Sequence, residues 1–185
     1  MSETRRDTLR ILGALTATAA APIGRAQEHN HPATAPPETA PYTPQVLSAT
    51  EYALVSRIAD LIIPPTDTPG AAAAGVPAYI DRALVRNADT QQLIREGLAL
   101  TDKAAQSKFN AKFLDLDETR QITLLVPWSE ASDKDDLSDP GAKFFRAIKS
   151  MTADGYYTSF AGLVQELGYK GNQALASFPG CTHEH

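Results

Sequence analysis

The 185-residue chain is poor in the residue types from which active sites are usually built. It has one cysteine, Cys181, so no disulfide can close within it. In an exported protein a lone cysteine leaves two readings open, a bond to another chain or a free thiol. All four histidines (His29, His31, His183 and His185) lie near the two ends, which makes an ordered Ser-His-Asp site hard to assemble. Basic residues are not in excess. Seventeen Lys and Arg against 22 Asp and Glu give a formal charge of −5, which argues against a nucleic-acid-binding surface. No dinucleotide fingerprint, CxxC, CxxCH or cysteine cluster occurs, so no cofactor motif is recognisable. Strand-like alternation and internal repeats are also missing, and the remaining pattern reads as all-α.

The one sustained apolar run, Ile11 to Ile23, is too short and too rich in Thr and Gly to span a bilayer comfortably. It sits between Arg5-Arg6-Asp7-Thr8-Leu9-Arg10 and the small residues Gly24-Arg25-Ala26, the layout of a cleaved leader cut before Gln27. Arg5 and Arg6 point to the twin-arginine export route, with Thr8 where that signal most often has Phe. An ordinary secretory leader that happens to contain Arg-Arg is the alternative, and an uncut anchor a minor one. The twin-arginine route carries proteins already folded, typically around a cofactor, yet this chain has no cofactor motif. Either it folds too fast for the other route, or it travels bound to a partner that carries the cofactor.

The organisation expected is a leader over 1–26, a flexible Pro/Ala-rich linker over 27–46, and a single helical domain over 47–185. About 140 residues in that domain can bury roughly two-thirds of their surface around one core. His29 and His31 fall in the linker, where a copper or nickel site is possible chemistry but solvated residues are favoured. Ser48-Ala49-Thr50-Glu51 has capping-box spacing with Leu47 as a staple, so a first helix is expected from Ala49 to just before Pro64. Pro64-Pro65 must stop it. Thr66-Asp67-Thr68-Pro69-Gly70 should then form a turn satisfied by its own side chains, with Gly70 allowing the reversal and Gly75 and Pro77 restarting a helix. The second helix is expected from Val76 to Asn87, and a third capped by Asp89. Gly97 inside that third helix costs up to about 1 kcal/mol unless a neighbouring helix packs closely there. A fourth helix should start at Asp115-Leu116-Asp117-Glu118 and run to Pro127, with Trp128 against the core. Ser129 to Asp139 reads as a charged loop. Its Asp133, Asp135 and Asp136 lack the remaining oxygen ligands, Gly and Glu of a calcium loop. Pro140-Gly141 opens a last long helix through Phe144, Phe145, Ile148 and Met151 toward Tyr156-Tyr157. A short helix or turn with Leu163, Val164 and Leu167 follows, ending at Gly168.

Four motifs then stand out: the Ile62–Ile80 bend (IIPPTDTPGAAAAGVPAYI), Gly155-Tyr156-Tyr157-Thr158-Ser159, Gly168-Tyr169-Lys170-Gly171-Asn172, and Pro179-Gly180-Cys181-Thr182-His183. Together they resemble the gluconate 2-dehydrogenase subunit 3 family, over about Thr50 to His183. The resemblance implies a non-catalytic small subunit of a periplasmic or membrane-associated dehydrogenase. Its implied partner is a larger FAD-dependent subunit of the glucose–methanol–choline class that oxidises a sugar, sugar acid or other alcohol. A cytochrome c subunit carrying haem would take the electrons. The small subunit would aid maturation of the leaderless flavoprotein and carry it through the twin-arginine translocase into the periplasm. On this reading Cys181 is the candidate for an intersubunit disulfide, and Thr66, Asp67, Thr68, Tyr156, Tyr157, Tyr169 and His183 are candidate partner contacts. Each has a plainer alternative: a free or buried thiol, a self-satisfied turn, or ordinary packing at the edge of the core. The competing function is a stand-alone exported enzyme, or a metal-binding protein using Cys181, His183 and His185. No catalytic, cofactor-binding or metal residue is assigned in this chain.

Overall fold

In the computed structural model, residues 42–172 are described. The leader, the linker up to residue 41 and the segment 173–185 lie outside the described residues. Five α-helices follow one another: α1 (Ala49–Ile62), α2 (Val76–Leu84), α3 (Ala88–Phe109), α4 (Glu118–Asp133) and α5 (Pro140–Tyr157). A short 3-10 turn, Phe113–Asp115, links α3 to α4, and a π-helical turn, Ala161–Glu166, follows α5. No strand forms among the described residues, as the all-α reading expects.

Helix α5 is the centre. It packs against α1, α2, α3, α4 and the π turn, which is why its buried set (Ala142, Phe144, Phe145, Ile148, Thr152 and Tyr156) wraps so much of its circumference. Three glycines let neighbours approach it. A Cβ at Gly97 of α3 would collide with the Phe144 ring, one at Gly141 of α5 with the Trp128 indole, and one at Gly155 would lie 2.7 Å from Tyr79 Cδ1 of α2. The propensity penalty at Gly97 is therefore offset by the close helix contact that would justify it. Trp128 meets Phe144 edge-on, ring centroids 6.4 Å apart, and so packs against the core as expected.

The first helix starts as the sequence indicates. The Ser48 hydroxyl accepts from the Glu51 amide and the Glu51 carboxylate accepts from the Ser48 amide at 2.7 Å, with Leu47 buried ahead of them. Other boundaries differ. Helix α2 ends at Leu84 rather than Asn87, because Asn87 is already the N-cap of α3, its side chain accepting from the Thr90 amide. Asp89 is therefore a first-turn acid, where it favours the helix dipole. Helix α4 does not stop at Pro127 but continues to Asp133, so the loop expected from Ser129 begins only after Asp133. Pro127 and Thr123 are both exposed, so the carbonyl that loses its partner can turn to water. The inward positions Gln121, Leu124, Leu125, Trp128 and Ser132 keep helical spacing straight through the proline. Of the loop acids, Asp133 pairs with Lys149, Asp135 with Arg146, and Asp136 accepts from the Ser138 hydroxyl, so each is engaged within the chain.

The helical unit reaches back to Tyr42, before the boundary expected at Leu47. Asp81, fully buried on α2, accepts from the Tyr42 hydroxyl at 2.7 Å and from the amides of Gln45 (2.7 Å), Val46 (3.1 Å) and Leu47 (2.8 Å). Burial opposes charge on Asp81. The Gln45 and Leu47 amides, the Tyr42 hydroxyl and the Val46 amide outweigh it and hold the carboxyl below its ordinary value. Because the folded value lies below the unfolded one, this contribution to stability is complete above the unfolded carboxylate range. It is lost as pH falls through the folded value. We therefore expect urea unfolding to show stability falling once the pH drops below about 4, the unfolded Asp value. Asp81→Asn should be less stable at neutral pH by about 1.5–3 kcal/mol, the range for a hydrogen bond to a charged group, with a flatter acid limb.

Candidate functional site

The bend after α1 is closed from both sides. The Ile63 amide donates to the Ala59 carbonyl at 2.9 Å, the last bond before Pro64 and Pro65 end the helix. Asp60, one turn back, accepts from the Ala72 amide at 2.7 Å, and the Ala71 amide returns to the Ile63 carbonyl at 3.0 Å. Gly70 is required here for closeness rather than for its backbone angle, since a Cβ would lie 2.8 Å from Pro65 and 2.9 Å from Asp60 Oδ1. The left-handed residue is Gly75, φ +85°, which caps α2 just ahead of Pro77.

At the apex, the Thr66 amide donates to the Thr68 carbonyl at 3.0 Å. Thr66 and Asp67 are exposed. The turn is not satisfied by its own side chains alone, because the Thr68 hydroxyl lies 2.9 Å from the Tyr156 hydroxyl of α5. Tyr156 is 1% exposed and donates to Glu166 of the π turn at 2.7 Å. With its single proton on that shorter contact, the phenol oxygen accepts from Thr68, and the Pro69 carbonyl lies 3.1 Å away. Burial raises the Tyr156 pKa, the Thr68 bond works against it and the Glu166 carboxylate adds to it; the net shift is upward. The phenol keeps its proton at neutral pH and acts as a donor, not a base.

The structure thus brings together Thr68 and Tyr156, which stood far apart among the sequence candidates, with Tyr157 at the rim. The Tyr157 hydroxyl is 3.4 Å from Glu166, and its ring meets Tyr156 edge-on at 5.3 Å. Tyr169 is exposed and donates to Asn172 at 2.7 Å. Arg5, Arg6, Cys181 and His183 lie outside the described residues. Two residues that anchor the fold are absent from the sequence candidates, Glu166 in this cluster and Asp81 on α2. Glu166 gives no signal, as nothing local links it to a tyrosine ten positions earlier. Asp81 does give one, since it falls on the apolar stripe Pro77, Ile80, Leu84, where a carboxylate must find donors.

Chemically the corner is a clasp. Two hydroxyls, a carboxylate and a carbonyl tie the bend, α5 and the π turn into one piece, with no nucleophile–base pair in it. Among the described residues no group of three His, Cys, Asp or Glu side chains could hold a metal ion. A separate groove of about 240 Å³ lies between the end of α1 and α4–α5, lined by Leu61, Ile62, Ile122, Leu125, Val126 and Phe145 together with the polar Ser129 and Lys149. Tyr156→Phe should lower stability by about 0.5–1.5 kcal/mol, the net worth of a hydrogen bond. Urea unfolding should register the loss with helical content unchanged by circular dichroism.

Comparison with curated proteins and with solved structures returns no match. The family model described as gluconate 2-dehydrogenase subunit 3 matches residues 49–177, from the first residue of α1 to beyond the last described one. That span takes in the bend, the clasp and the π turn, and the chain belongs to the gluconate 2-dehydrogenase subunit 3 family.

Proposed function

We propose that this chain is a non-catalytic accessory subunit that helps mature an FAD-dependent dehydrogenase subunit and takes it through the twin-arginine translocase to the periplasm. The observation that carries the proposal is a pairing. A leader of the twin-arginine type, with Arg5 and Arg6, stands ahead of a domain whose family is named for one subunit of a dehydrogenase. Such a leader serves cargo folded around a cofactor, and the partner is the natural bearer of that cofactor.

In this scheme the large subunit belongs to the glucose–methanol–choline class, binds FAD and oxidises a sugar, sugar acid or alcohol. A cytochrome c subunit with haem accepts the electrons. Cys181 bonds the two subunits covalently, in keeping with an oxidising periplasm. Arg5-Arg6→Lys-Lys should leave both this chain and the flavoprotein in the cytoplasm, measured as flavin-dependent dye reduction in periplasmic and cytoplasmic fractions. Export of the flavoprotein regardless of the change would remove the escort role. Cys181→Ser should abolish a reducible heterodimer band on a non-reducing gel, with helical content unchanged. A wild type that shows no such band disposes of the disulfide.

A further inference from the structure

Arginine is used in two ways in this domain. Arg57, Arg95, Arg120 and Arg146 each pair with a carboxylate of the chain, Glu118, Glu51, Asp117 and Asp135 in turn. Arg82 and Arg86 form no ion pair among the described residues, in a chain of formal charge −5. Both are exposed. Arg82 lies in the last turn of α2 and Arg86 just past its end, and Val85 between them keeps helical angles. Four residues of helix set the two about 6 Å apart along the axis. With Tyr79 and Ala83 they line a groove of about 310 Å³. Ala83 adds only a methyl group there, so a bound group can come close to the backbone between the two guanidinium groups.

One member of the pair is held in place. The Arg82 guanidinium carbon lies 5.4 Å from the centre of the Tyr42 ring, a cation–π contact. Tyr42 in turn donates to Asp81 at 2.7 Å and stacks on Tyr52, ring centroids 5.8 Å apart. Through Tyr42, buried Asp81 therefore fixes a cation at the surface, which lowers the ordering cost of binding there.

We infer that Arg82 and Arg86 are a receptor for two carboxylates, set about one helical turn apart, on the dehydrogenase subunit that this chain accompanies; the inference rests on the accessory-subunit reading above. Charge and shape select the chemistry. A guanidinium is a planar fork of donors that matches a carboxylate better than an ammonium does, and the other four arginines of the described residues all take carboxylates. The scale of the site selects a protein. A lipid surface responds to charge summed over a broad face, whereas here two cations stand alone and Asp89 follows Arg86 by three residues. A family named for one subunit of a dehydrogenase supplies that protein. Outside the described residues this chain has carboxylates at Glu3, Asp7, Glu28, Glu38 and Glu184. Glu3 and Asp7 flank Arg5-Arg6, whose charge opposes docking on two more guanidinium groups, and the other three stand well apart in the sequence.

The test uses the full-length tagged chain, with capture of the flavoprotein from whole-cell extract read by its mass and flavin absorbance. Arg82→Glu with Arg86→Glu should reduce captured flavin by about tenfold or more, and added salt should weaken capture by the wild type more than by the variant. Lys103→Glu with Lys143→Glu makes the same change of net charge at two exposed lysines outside the groove and should leave capture unchanged. Arg86→Gln, which leaves the Tyr42 contact of Arg82 in place, serves if the double reversal loses helical content; it should still reduce capture about threefold. If the wild type captures the flavoprotein and the arginine variants capture it equally, the receptor is elsewhere while the accessory role stands. Equal losses in the arginine and lysine variants assign the effect to net charge and overturn the inference. So does wild-type binding to phosphatidylglycerol vesicles that the arginine variants lose with capture unaffected. Faster amide exchange within residues 1–41 or 173–185 of the isolated arginine variant would show the pair already taken by this chain, which also overturns it. If the wild type captures no flavoprotein, the accessory reading itself fails and this inference with it.

Discussion

The fold depends on how closely helices can approach α5. A helix that touches all four other α-helices must either be thin or have partners that make room for it. Here the room comes from glycine at three crossings: Gly97 under Phe144, Gly141 under Trp128 and Gly155 under Tyr79. At each, an aromatic ring from one helix fills the space left by the missing side chain of the other. Interiors packed to crystal-like density have no slack for an added methyl at such points. The long α3 and α4 hold their places because these rings fit, and the rest of the core (Ile58, Ile80, Ile94, Leu98 and Ile148) closes around them.

Polar groups finish what the rings begin. The 3-10 turn between α3 and α4 is held at both ends of Phe113: its amide donates to Asp102 at 3.0 Å, and its carbonyl accepts from Gln121 at 2.8 Å. Gln121 also accepts from Arg57 of α1 at 2.6 Å, so one buried amide side chain joins two helices and a turn. The Thr68–Tyr156–Glu166 clasp does the same at the other side of α5. In both places a side chain in the interior satisfies backbone or hydroxyl groups that would otherwise be left unpaired.

Much of this was legible in the sequence wherever the signal is local. The capping box at Ser48 and Glu51 and the stop at Pro64-Pro65 operate over a few residues, and the helix they bound appears as expected. The Gly97 expectation was conditional on a neighbour, and the neighbour is Phe144. Legibility fails where a distant partner decides. Pro127 looks like a stop because its ring opposes helix locally, but packing of Trp128 and Ser132 on α5 outweighs one missing hydrogen bond. Tyr156 and Tyr157 are adjacent and chemically alike; only the position of Thr68 and Glu166 in space makes one a buried linchpin and the other a surface ring. Leu163, Val164 and Leu167 carry a helical apolar pattern, and pattern alone cannot say that the larger residues point outward.

Asp81 has a mechanical side. Everything upstream of Tyr42 is joined to the helices through a short strap, and the strap is moored to α2 at one carboxylate by three amides and a phenol. A pull on the chain from its N-terminal direction would load that mooring before it reached the first turn of α1. From α2 the load would pass through Tyr79 to Gly155 of the central helix. Loss of that one carboxylate would free the strap ahead of α1 from α2.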